Sequence, residues 1–65
     1  MTTDDKKNAL KAWYRDQNMS LHWLLEELIS RQKLMALPRI SQAVDLLYQE
    51  FVDQGKIKAK SREVR

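Results

Sequence analysis

His22 is the only histidine in the chain, and Glu26 follows it by one helical turn. A histidine–carboxylate pair can pass a proton or hold a metal, but zinc needs three or four protein ligands. The sequence has no cysteine and no second histidine to complete such a set. The pair therefore reads as an exposed surface histidine with a carboxylate beside it. Glu26 and Glu27 are adjacent, so a helix turns them to different faces and they make a poor acid–base couple. Glu27 stands one turn before Arg31, the spacing of a helical ion pair. Ser20, Ser30, Ser41 and Ser61 have no neighbouring base of the kind a nucleophile requires. A single glycine cannot build a loop that cradles phosphate. These residues predict a protein that is not an enzyme, with no catalytic residues, no metal and no cofactor.

Contact chemistry is better represented. Placed on a helix, Trp23 falls roughly 100° or more away from the main apolar stripe. Met19 lies close to it, with Ala12 and Leu34 on the same flank and Arg15, Asp16, Glu26 and Glu27 as a polar rim. Tryptophan is enriched at interface hot spots, and methionine adapts to varied partners. Trp23, Met19, Arg15 and Glu26 are thus candidate partner-binding residues, as are Trp13 and Tyr14 at one end of the stripe. The competing reading is that a second helix or a second chain covers Trp23.

The charge is unevenly placed. The net charge is +3, yet residues 55–65 alone carry five basic side chains against one acidic. The body is near neutral, so the basic character belongs to a tail over 56–65, expected to be flexible. The run Arg39-Ile40-Ser41-Gln42-Ala43-Val44-Asp45-Leu46-Leu47, followed by Asp53-Gln54-Gly55-Lys56-Ile57-Lys58-Ala59-Lys60, resembles the end of a winged-helix domain. In that family a recognition helix leads through a Gly-Lys/Leu-Ile step into a basic wing. The resemblance implies that Arg39, Ser41 and Gln42 reach base edges while Lys56, Lys58, Lys60 and Arg62 meet phosphates. The same helix carries Asp45, Glu50 and Asp53, which repel phosphate.

These side chains need helices to position them. One glycine and one proline in 65 residues argue against a turn-rich β fold, and 65 residues make at most one domain. Thr3, Asp4 and Asp5 suit a helix start. From there to Ala36 no glycine or proline interrupts, and Leu10, Trp13, Tyr14, Leu21, Leu24, Leu25, Leu28 and Met35 share a stripe about 120° wide. Tyr14, Leu21, Leu28 and Met35 lie seven apart, so the phase survives Asn18-Met19-Ser20. The spacing predicts one long helix over about 4–36. The alternative is a break at 18–20, with Asn18 or Ser20 capping a second helix. Pro38 ends this element, and a shorter antiparallel helix runs over about 39–54, with Ile40, Val44, Leu47 and Phe51 inward and Gly55 as its stop.

The expected fold is all-α. A single helical domain over 1–55 forms a hairpin whose long arm, about 48 Å, is too long for one compact chain. A second copy would cover the rest of the stripe, giving a homodimeric four-helix arrangement with Leu10, Leu21, Leu24, Leu28, Met35, Ile40, Val44, Leu47 and Phe51 in the core or dimer seam. The alternative break gives a three-helix bundle in which dimerisation is optional. No apolar run approaches 18 residues, so no membrane insertion is expected. The opening residues Met1–Asp5 carry no apolar core, which predicts a cytoplasmic protein. An amphipathic helix lying on a membrane ranks last, because its polar face is mixed in charge. By analogy with phage and plasmid proteins of this size, the expected function is to bind a host protein and inhibit or redirect it. A transcriptional regulator, a quorum-sensing regulator or a motor ATPase is the kind of target implied. A small helix-turn-helix or winged-helix DNA binder is the alternative.

Overall fold

Thr2, one residue earlier than the sequence suggests, caps the first helix. Its hydroxyl accepts from the Asp5 amide at 3.1 Å, and the Asp5 carboxylate accepts from the Thr2 amide at 3.2 Å. This reciprocal box satisfies two amides that the first turn leaves free. The computed structural model describes residues 2–58 and contains three helices of equal length: α1 (Thr3–Asp16), α2 (Leu21–Leu34) and α3 (Ile40–Asp53).

The single long helix over 4–36 is therefore corrected to two helices, and the three-helix alternative fits. The chain folds back at Gln17–Ser20. Asn18 takes a left-handed backbone with φ of 63°. The Met19 amide donates to the Tyr14 carbonyl and the Asn18 amide to that of Arg15, both at 2.9 Å. That pair of bonds closes a helix C-terminus. Ser20 then opens α2, its hydroxyl accepting from the His22 amide at 3.1 Å. Asparagine tolerates the left-handed region and serine caps well, so the break uses residues suited to it.

The same stop recurs twice. Ala36 with φ of 52° ends α2, and Gly55 with φ of 78° ends α3. In each case the next amide, of Leu37 or Lys56, reaches back 2.9 Å to the carbonyl of Gln32 or Phe51. Glycine takes this conformation freely, whereas alanine pays about 1 kcal/mol for it.

α3 packs on both other helices more extensively than they pack on each other. It contributes Ala43, Val44, Leu47, Tyr48 and Phe51 to the core, facing Leu10 and Tyr14 from α1 and Leu24 and Leu28 from α2. Ala9, Trp13, Leu37, Val52 and Ile57 pack against this cluster, so the packed chain reaches Ile57. Of the residues expected in the core or dimer seam, Leu21, Met35 and Ile40 are exposed in the single chain. They share an arc with buried neighbours but stand at helix ends: Leu21 opens α2, Met35 closes it and Ile40 opens α3. No helix among the described residues is long and apolar enough to cross a membrane.

Candidate functional site

α2 positions most of the exposed apolar surface. Among the described residues, the large exposed apolar side chains are Met19, Leu21, Trp23, Leu25, Ile29, Leu34, Met35 and Ile40. All but Ile40 lie on α2 or the turns that bound it. At 100° per residue, Leu21, Leu25 and Ile29 form one outward line along α2, one turn apart. Trp23 and Leu34 occupy another sector, on the far side of the buried Leu24 and Leu28 from that line. Trp23 is 55% exposed and Leu25 is 56% exposed. The rings of His22 and Trp23 meet edge-on at 5.8 Å, and His22 Nε2 lies 3.7 Å from Glu26 Oε2. Both members of that pair are open to solvent.

A tight ionic joint holds α2 in place from the inner side. Arg31 Nε and Nη2 donate to the two carboxylate oxygens of Glu50 on α3, at 3.1 and 2.6 Å. Arg31 also pairs with Glu27 one turn earlier, as the spacing predicts. Hydrogen bonds from Arg31 hold the Glu50 carboxyl below its usual range, and its charge lowers it further; partial burial opposes both. The Glu50 hydrogen bond in turn raises Arg31. Burial raises the neighbouring Tyr14 phenol, the Glu27 charge adds to that shift, and Arg31 opposes it. On the other side of the body, Lys6 Nζ lies 3.5 Å from Asp45 Oδ1, and Thr3 donates to the same oxygen at 3.3 Å. Those contacts tie α1 to α3.

The expected contact residues divide. Trp23, Met19, Arg15 and Glu26 are all exposed. Met19 and Arg15 share an open cleft of about 420 Å³ with Lys11, Asn18, Ser20 and Leu21. Tyr14 is only 4% exposed, which corrects its assignment as a side chain free to fill a partner's groove. Its ring stacks on Phe51 at 6.0 Å, and Trp13 meets both rings edge-on at 5.2 and 4.8 Å. Trp13 is half-buried in this cluster, so it too belongs mainly to the body's interior. Ala12, placed near Trp23 by the long-helix reading, lies on a different helix from it.

The described nucleic-acid candidates lie at opposite ends of α3, with Arg39, Ser41 and Gln42 at its start and Lys56 and Lys58 beyond its end. Lys56 Nζ sits 4.8 Å from the Phe51 ring centre and 5.3 Å from that of Trp13. The Gln42 side-chain oxygen accepts from the Arg39 amide at 3.3 Å, which closes the start of α3. Ser41 is half-buried, while Arg39 and Lys58 are exposed. Lys60 and Arg62 lie outside the described residues. The open side of α3 presents Gln49 hydrogen-bonded to Asp53 at 3.0 Å, a mildly acidic surface.

Sequence reasoning missed Leu25 and Ile29 as contact candidates. Leu25 falls at the edge of the apolar stripe of a continuous helix, and Ile29 stands just outside it. The available signal was α2 itself, whose apolar residues surround the helix more widely than one buried arc requires. Among the described residues no three His, Cys, Asp or Glu side chains gather as metal ligands would. No family model, curated protein or solved structure matches the chain.

Proposed function

We propose that this chain is a non-enzymatic interaction protein. It pairs with a second copy and binds a regulatory protein through the outer surface of α2, which it blocks or redirects by occlusion. The observation that carries this reading is the concentration of exposed apolar side chains between Met19 and Met35. Apolar residues scattered singly over a surface need no explanation, but seven concentrated on one helix and the turns that bound it point to contact with another molecule. Trp23 is its anchor, with Glu26 and His22 as polar edge. The test is binding of purified wild type and Trp23→Ala to the protein that wild type captures. Loss of a tryptophan hot spot weakens binding by roughly 30-fold or more while helicity stays unchanged. Unchanged affinity, or a variant that unfolds, contradicts the assignment.

A further inference from the structure

Two turns join the three helices, and only one of them can straighten. At 35–39, Pro38 has no amide hydrogen and its ring collides with the carbonyl four residues back. At 17–20 there is neither glycine nor proline. If Gln17–Ser20 become helical, α1 and α2 form one rod. Tyr14, Leu21, Leu28 and Met35 then fall seven apart along one seam, with Leu10 and Leu24 inside the same arc. In the folded-back chain that seam is interrupted, since Tyr14 and Leu28 are buried while Leu21 and Met35 face solvent. The folded-back form does not require that register to be kept across the break. The interactions that hold the turn are local: one left-handed residue, two amide–carbonyl bonds and the Ser20 cap. Straightening replaces them with ordinary helical bonds.

We propose that two copies of this chain exchange α1 through this hinge. Each α1 leaves its own α2 and α3 and packs in the same way on those of the other chain. The result is a two-fold dimer of helical hairpins, and the inference rests on the self-pairing stated above. The exchange conserves the core, because the Trp13 and Tyr14 contacts with Phe51 and the Thr3 and Lys6 contacts with Asp45 re-form between chains. What changes is the hinge, where Leu21 is covered by the facing chain beside the two-fold axis. Short hinges invite such exchange, since both forms share nearly all contacts. Trp23, Leu25 and Ile29 stay outside, so the dimer displays the outer surface of α2 twice.

The test combines hinge variants with a crosslink. Asn18→Gly favours the left-handed turn and Asn18→Ala favours the rod. By sedimentation, the dimer constant should weaken at least tenfold in Asn18→Gly and tighten at least tenfold in Asn18→Ala, because each dimer contains two hinges. The chain has no cysteine, so Thr3→Cys with Asp45→Cys supplies a unique pair for a short bis-maleimide. Crosslinks between chains in the dimer fraction support the exchange. A dimer holding only intrachain crosslinks overturns it and leaves self-pairing intact. A monomer at every concentration, Asn18→Ala included, overturns both.

Discussion

α2 and α3 are each fourteen residues long, adjacent in sequence and joined by the Arg31–Glu50 bridge, yet they use their apolar residues differently. In α3 the apolar residues gather on one arc, and only Ile40, at its first residue, is exposed. In α2 only Leu24 and Leu28 are buried, while Leu21, Trp23, Leu25, Ile29 and Leu34 face outward. A body of three helices offers each helix one covered arc. α3, in the centre, fills its arc, whereas α2 carries more apolar surface than the fold of its own chain can cover. Exposed apolar side chains concentrated on one helix mark a surface for another molecule. The difference separates residues that make the body from residues available to other molecules.

The largest test of that division compares truncations on the two helices. Leu47→Ala in α3 should cost about 2–5 kcal/mol, a large share of the roughly 3–10 kcal/mol expected for a chain of this size. Leu25→Ala in α2 should change the stability of the monomer by no more than about 0.5 kcal/mol. Urea unfolding of both variants at low protein concentration checks this, and an equal cost at the two sites would erase the distinction. A smaller effect concerns the joint between the helices. Glu50→Gln should cost about 1 kcal/mol, because the pair is bidentate but partly screened by solvent. The pH dependence has a definite sign. The folded Glu50 carboxyl lies below its ordinary value of 4.5, so the stabilisation is complete above that pH and is lost as pH falls through the folded value. Wild-type stability should therefore decline on acidification below about pH 5, and the Glu50→Gln curve should be flatter there. The smallest effect lies in the turn between them. Ala36→Gly should raise stability by about 0.5 kcal/mol, because relief of the left-handed alanine slightly exceeds the extra freedom glycine gives the unfolded chain. A loss of stability on thermal unfolding would contradict that reading.

α3 was legible in the sequence because its signals agree. Pro38 precludes a helix running in from α2, one apolar arc follows, and Gly55 closes it. The break before α2 was harder to see because two signals conflict: the seven-residue spacing of Tyr14, Leu21 and Leu28 runs straight through Asn18 and Ser20. Periodicity records which residues share a face if the helix continues, and it cannot tell that the chain turns back. The Arg31–Glu27 pair was legible from local spacing, whereas Arg31–Glu50 depends on how α2 meets α3. Tyr14 shows a further limit, since a helical wheel marks an aromatic as inward but does not say whether its own chain or another covers it. Ala36 gives no local signal, because alanine rarely adopts the left-handed backbone it takes here.

α2 carries apolar side chains surplus to the monomer, and Leu21, at the hinge, is the one that self-pairing covers. Sedimentation equilibrium of wild type beside Leu21→Glu, from micromolar to millimolar concentration, tests this most directly. Leu21 is exposed in the folded-back chain, so the substitution spares the body and blocks only association. The predicted result is a wild-type mass rising toward twice 7.7 kDa, with Leu21→Glu remaining at 7.7 kDa and equally helical. A wild type that stays at 7.7 kDa throughout, or a variant that associates as well as wild type, would contradict the account.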